Sequence, residues 1–321
     1  MVMGLAYHGT TSAPLHGIDN MFGKHIDSGT LESHLDLIGR RFTVVPLTDL
    51  VSRLRAGEPL RRRSLFLSFD DGYAGNFDVA FPLLRKFGFP ATFFVTSGFV
   101  GTGRMLALDL LDSAIKASTL ASFTPGPPCA EVPLPLRTQE DKCAAAHALR
   151  IVFKRLAPPA DMDFMRRTVH ALGFAGEEQV PPMGPQTALM KWAEIAAMAA
   201  QGMEIGSHTH THRILARIGA SEASAELSES RRTVEKHAGV PCRLFCYPNG
   251  KFGRDGNRDT DRLVREAGYD GAVYLEGGVN TTATDPYRIT RHPAGMRTSR
   301  VDLMMSLAGI RPRVGLALGR G

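Results

Sequence analysis

The stretch Ser64-Leu65-Phe66-Leu67-Ser68-Phe69-Asp70-Asp71-Gly72 runs from an almost wholly apolar segment into two adjacent carboxylates. A short apolar run closed by turn residues reads as a strand buried on both faces. The carboxylates therefore fall where the chain leaves the core, and in α/β folds strand ends are where sites are built. Neighbouring acids repel and cost desolvation, so a cation or a proton must offset Asp70 and Asp71 unless both point to water.

Similar runs recur outward from this stretch, at Gly4 to Gly9, Ala91 to Thr96, Glu204 to Ser207, Arg243 to Tyr247 and Gly271 to Leu275. Between them lie apolar residues at helical spacing: Leu31, Leu35 and Ile38; Leu50, Val51 and Leu54; Val79, Leu83, Leu84 and Phe87; Ile195, Met198 and Ala199; Ala223, Leu227, Ser230 and Val234; Leu263 and Val264. Strand and helix alternate, which predicts an α/β fold with a mainly parallel sheet. Gly88, Gly202, and Gly239 with Pro241 mark helix ends, while Pro82 marks a kink or a helix start. From 105 to 185 the alternation is lost, and Pro-rich pieces at 124–135 and 181–185 bracket a helical stretch. The predicted organisation is a first part of the α/β unit at 1–104, a helical insertion at 105–185, a second part at 186–310 and a flexible tail at 311–321.

The 321 residues are 43% hydrophobic, 22% charged and 7% aromatic, which excludes a disordered or fibrous chain. No apolar run approaches the ~18 residues of a membrane-spanning helix, and the first residues lack the basic leader and apolar core of a secretory signal. A cytoplasmic location without a membrane span is the expectation, and Cys129, Cys143, Cys242 and Cys246 are expected as free thiols. The net charge of +6 favours anionic partners in a general, screened way. Its densest cluster, Arg61-Arg62-Arg63, reads as a solvated loop before a strand. With no nucleic-acid motif beside it, no nucleic-acid partner is expected.

Ser207-His208-Thr209-His210-Thr211-His212 puts three histidines within five residues directly after the strand Glu204-Ile205-Gly206. Neutral imidazole is the commonest metal ligand among side chains. A helical turn would put His208 and His212 on one face, whereas an extended chain would align all three histidines, and the spacing is compatible with both. With Asp70-Asp71 they supply two imidazoles and a carboxylate, a set that leaves positions open for water and substrate as in catalytic zinc sites. One Asp can then hold the metal while the other takes a proton from water.

These residues resemble the motifs of the polysaccharide deacetylase family, carbohydrate esterase family 4, with its NodB-homology domain. Ser68-Phe69-Asp70-Asp71-Gly72 resembles the first motif, normally Thr-Phe-Asp-Asp-Gly, and His208-Thr209-His210-Thr211-His212 fits the second, His-Ser/Thr-x-x-His. Tyr7-His8, Ala91-Thr92-Phe93-Phe94-Val95 and Phe245-Cys246-Tyr247-Pro248-Asn249-Gly250 extend the likeness, which is similar to the branch associated with bacterial exopolysaccharides. The resemblance implies a distorted (β/α)7-type barrel with the site at the strand C-terminal ends. It implies Asp70 as general base and Asp71, His208 and His212 as ligands of a divalent metal, zinc first, with cobalt or nickel as alternatives. His210 falls on a variable position.

Three departures stand out. Many members carry in the third motif an Arg that steadies the base, but here Cys246 occupies that place and Arg243 lies three residues off. Asn249 stands where a Tyr is usual; a backbone N–H aimed at the developing oxyanion survives that change, so Tyr247, Pro248 and Asn249 are candidate oxyanion or pocket residues. The late Leu-x-His motif is matched only by Ile289-Thr290-Arg291-His292, which makes His292 the candidate acid and His8 a second candidate imidazole. The lone Trp192 reads as helix packing. The implied reaction is hydrolysis of an N-acetyl group on an amino-sugar glycan. The alternatives are deacylation or deformylation of a small or lipid-linked sugar, and a binding protein that kept the fold and lost the chemistry.

Overall fold

The computed structural model describes residues 1–129 and 131–307. The tail expected at 311–321 lies outside them. The main sheet contains β1 (Val2–Tyr7), β2 (Thr43–Val44), β3 (Ser64–Phe69), β4 (Thr92–Val95), β5 (Glu204–Ser207), β6 (Leu244–Cys246), β7 (Gly271–Tyr274), β8 (Ile289–Thr290) and β9 (His292–Pro293). All of its pairings are parallel, in the order β8-β7-β6-β5-β4-β3-β1-β9, with β2 branching beside the start of β3. Since β8 pairs with β7 and β9 with β1, the sheet's two ends meet across one residue, Arg291. Counting Ile289–Pro293 as one stave, the expected seven-stave barrel forms.

The six long apolar runs became β1 and β3 to β7. The helical segments became α1 (Ser28–Gly39), α2 (Leu47–Ala56), α3 (Phe81–Phe87), α7 (Trp192–Ala200), α8 (Ala220–Ala238) and α9 (Arg258–Glu266), with α10 (Arg300–Leu307) after them. Pro82 falls in the first turn of α3, which runs on directly from a π-helical turn at Asn76–Ala80.

Alternation along each strand sorts side chains to two sides. Leu65, Leu67, Phe69 and Phe93 face outward and pack with Leu31, Leu35, Leu84, Ile195 and Leu227 of the surrounding helices. Phe66, Phe94, Leu244, Cys246, Val273 and Ile289 face inward and form a separate cluster with Leu47, Leu50, Val51 and Leu54 of α2. The two inner rings need room: a Cβ on Gly4 would stand 2.2 Å from the Phe66 ring, and one on Gly206 would stand 2.6 Å from Phe94. Helix α2 closes the N-terminal end of the barrel, where the Glu204 carboxylate at the start of β5 accepts from the Leu47 and Thr48 amides at 2.8 and 2.9 Å.

Between 105 and 185 the chain forms α4 (Ala107–Ala117), α5 (Gln139–Phe153) and α6 (Ala160–Ala171). Leu111, Ile115, Leu149, Phe164 and Met165 of these helices make an apolar cluster of their own, joined by Ile18 and Met21. All four cysteines are free. Among the described residues no helix is long and apolar enough to cross a membrane.

Candidate active site

Following the inward residues toward the strand C-termini, the column turns polar: Phe66 gives way to Ser68 and Asp70, Gly206 to His208, and Ile289 to Arg291. These side chains converge because each sits two residues beyond an inward position on its own strand.

Asp70 is buried and continues β3, its amide donating to the Tyr7 carbonyl at 2.9 Å. Asp71 then turns the chain with φ 75°. Six non-glycine residues among those described have left-handed φ, and four of them (Asp71, Thr209, His212 and Asn249) lie on the site loops. Each such conformation costs on the order of 1–3 kcal/mol, a cost concentrated where side chains are aimed for function.

Asp71 Oδ1 lies 3.4 Å from His208 Nε2 and 3.3 Å from His212 Nε2. The two imidazoles converge through left-handed kinks at Thr209 and His212, so the loop is neither of the two regular alternatives open to the spacing. His208 Nδ1 lies 2.8 Å from the Cys246 carbonyl, to which a neutral ring donates, leaving its Nε2 lone pair facing Asp71. Three such atoms facing one another need a proton or a metal cation among them. Ligands bound tetrahedrally to zinc at ~2.0–2.1 Å stand about 3.3 Å apart, which matches the two separations. Asp71, His208 and His212 thus fit a divalent metal. His210 points elsewhere, its Nδ1 3.0 Å from Ser97 Oγ.

Asp70 is held from the far side of the barrel. Arg291 Nη1 donates to Asp70 Oδ1 at 2.6 Å and Nη2 to Oδ2 at 2.9 Å. Ser68 Oγ and Cys246 Sγ accept from the same two nitrogens at 2.8 and 3.0 Å. Burial alone would raise the Asp70 carboxyl, but the guanidinium overrides it and holds the group below the ordinary carboxylate range. The arginine missing from the third motif is therefore supplied by the β8–β9 junction. Arg243, by contrast, is exposed and 4.0 Å from Asp270.

The sequence profile of the polysaccharide deacetylase family matches residues 57–119 and 164–272, more than half of the chain. The chain belongs to the polysaccharide deacetylase family. The break in the match falls within the helical segment between β4 and β5. No curated protein matches the sequence. Among solved structures, the deacetylase PplD of Streptococcus pyogenes superposes with a TM-score of 0.61 at 14% identity, covering 95% of this chain and 97% of its own. IcaB of Ammonifex degensii gives 0.60 at 16% identity, covering 96% and 95%. A de-N-acetylase of Aggregatibacter actinomycetemcomitans gives 0.57 at 17% identity, covering 95% and 99%. At these identities the likeness is one of fold.

Within this member of the family the other expected residues separate. His8 follows β1 into the same cleft, where burial lowers its pKa while the charges of Asp71 and Asp70 draw it back up. His292 does not join it. One step beyond the inward Arg291, it faces the opposite side, its Nε2 2.8 Å from the Gly278 carbonyl. Period-two alternation admits one of these neighbours to the interior, and the ion pair takes that place. Tyr247 is also corrected: its hydroxyl donates to Asp261 at 2.8 Å, its ring stacks on Tyr274 at 4.2 Å, and its amide donates to the Val273 carbonyl. It builds the wall rather than an oxyanion hole. Pro248 has no amide hydrogen to give, whereas the Asn249 N–H has no acceptor among the described residues. Trp192 stacks on His237, as packing requires.

A network absent from the sequence reading borders this cleft. Lys24 Nζ donates to Tyr73 Oη at 2.6 Å and to Asp109 Oδ1 at 2.5 Å, and Tyr73 donates to Asp109 Oδ2 at 2.7 Å. Tyr73 follows the Asp-Asp-Gly turn directly, so this network ties α4 to the site. Its sequence signal is only Lys24 in a loop and an acid on an apolar helix.

Proposed function

We propose that this polysaccharide deacetylase hydrolyses N-acetyl groups of an amino-sugar glycan, with a divalent metal, zinc first, held by Asp71, His208 and His212. The observation that carries the reading is the convergence of those three donor atoms beside the arginine-paired Asp70. The metal, when bound, supplies Lewis acidity toward water and the acetamido carbonyl. Asp70, kept ionised by Arg291, accepts the proton of the attacking water. The Asn249 N–H, free among the described residues, is the donor proposed for the oxygen on which negative charge develops. His8, in the field of both carboxylates, delivers a proton to the departing amine, a role for which His292 is turned away. Acetate and a free amino sugar result.

Elemental analysis and acetate release from N-acetylglucosamine oligomers test this together. About one transition metal per chain is expected, lost in Asp71→Ala and His212→Ala. Asp70→Asn should keep the metal and lose turnover. Protein that takes up no zinc, cobalt or nickel when these are offered would refute the assignment.

A further inference from the structure

Of the three histidines that follow β5, the proposed metal takes His208 and His212 and leaves His210 over. The loop they share is strained: Thr209 and His212 both have a left-handed φ of 62°, with no glycine to ease either turn. Such a backbone persists only where its surroundings fix it, and this loop is gripped from two sides. On one side Gly98 donates its amide to the His210 carbonyl at 2.8 Å, and Ser97 Oγ meets His210 Nδ1 at 3.0 Å. Gly98 lies so close that a Cβ there would stand 2.7 Å from that carbonyl oxygen.

The other side is α8. Glu226 Oε2 accepts from the amides of both His210 and Thr211, at 2.8 and 2.7 Å, and its Oε1 accepts from Thr211 Oγ1 at 2.5 Å. One helical turn on, the buried Ser230 donates from Oγ to the Thr209 carbonyl at 3.1 Å. Successive backbone amides aimed at one point form a concavity that takes an anion, and here a side chain of the same protein fills it. Among the described residues the Glu226 carboxylate pairs with no cation, and every hydrogen bond it accepts comes from this loop. It thereby fixes the peptide planes between the two ligand histidines.

We propose that Glu226 is a positioning residue for the metal, a role that rests on the metal reading given above. It keeps His208 and His212 turned toward Asp71 before the ion arrives, and so sets how tightly the ion is held. Without it the loop relaxes toward ordinary φ values, and binding must rebuild the strain.

Zinc affinity of the purified, metal-stripped full chain, measured by competition with a chromophoric chelator, tests this beside the urea midpoint of each metal-free variant. Glu226→Ala removes the acceptor and should weaken zinc about ten-fold or more. Glu226→Asp keeps the charge but falls short of the loop amides, and should weaken zinc to a similar extent. Glu226→Gln loses the charge but keeps a carbonyl oxygen for both amides, and should stay within about five-fold of wild type. A carboxylate acting only through its charge would reverse the order of Asp and Gln, which overturns the proposal. So does a lowered urea midpoint with unchanged zinc affinity, the mark of a merely structural role. Should Glu226→Ala fail to fold, the order of Asp and Gln decides alone. Wild-type protein that takes up no metal removes the metal site and this role together, whereas equal zinc binding by wild type and Glu226→Ala leaves the site and removes only the role of Glu226.

Discussion

Arg291 and Asp70 meet as a two-pronged ion pair inside the barrel, 221 residues apart in sequence and both shut off from solvent. Arg291 is also the one residue between the two end strands, so the side chain that holds Asp70 sits at the closure of the sheet. Arg291→Ala would leave a buried carboxylate unpaired, at a cost of about 3–5 kcal/mol, unless Asp70 takes up a proton and ceases to be a base. The expected outcome is a lower urea midpoint and a turnover reduced ~100-fold or more. Arg291→Lys keeps the charge but forfeits the planar fork, and should fall between that variant and wild type. Full stability and activity in Arg291→Ala would sink the assignment.

The two candidate imidazoles give opposite expectations. His8→Ala should lower kcat by ~100-fold or more with the metal content unchanged, whereas His292→Ala should stay within about three-fold of wild type. The comparison is made on acetate release under saturating substrate. A larger loss in His292→Ala than in His8→Ala would reverse the roles proposed here.

What was legible in the sequence was local. The runs that became β1 and β3 to β7 carry enough apolar residues to announce themselves, and the Asp-Asp and His-x-x-x-His pairs lie within a single turn each. The two-residue strands β2, β8 and β9 are too short to show a period, so the closure of the barrel left no pattern. Arg291 escaped because its partner is brought near only by that closure. One signal was available: in Ile289-Thr290-Arg291-His292-Pro293 the alternation that buries Ile289 also buries Arg291, and a buried arginine demands a carboxylate. Tyr247 was misread for a similar reason, since Asp261, which claims its hydroxyl, lies fourteen residues on in α9.

The barrel interior couples packing to the site. A Cβ on Gly206 would stand 2.6 Å from the Phe94 ring and 3.0 Å from the Leu244 carbonyl. Phe94 in turn lies under the Arg291 guanidinium, 5.5 Å from ring centre to Cζ. Gly206→Ala should therefore cost about 1–3 kcal/mol in stability by overpacking and lower kcat as well, by displacing Arg291 from Asp70. Urea denaturation and acetate release on the same sample check both effects. Phe94→Leu in that background should restore part of each. Unchanged stability in Gly206→Ala would mean that the interior has slack that the contacts do not show.

Acid should begin to destabilise this protein in the histidine range, because two of its buried histidines, His25 and His34, resist protonation. Burial lowers the His25 pKa to about 3, helped by the Lys24 charge and offset by Asp109, and burial also lowers that of His34. Below the ordinary histidine pKa of about 6.5, the unfolded chain takes up protons that these rings refuse, so stability falls as pH falls. The slope is about 1.4 kcal/mol per pH unit for each such histidine, which puts the His25 contribution near 2 kcal/mol between about pH 7.5 and pH 5. Asp70 acts later. Its lowered pKa favours the folded state above the ordinary aspartate value of about 3.9, and that contribution disappears only below it. Urea midpoints measured across this range should therefore begin to fall near pH 6.5, and His25→Gln should flatten the fall by about one proton's worth. A midpoint independent of pH down to about 5, or a slope unaltered in His25→Gln, would show that the ring is protonated in the folded protein after all.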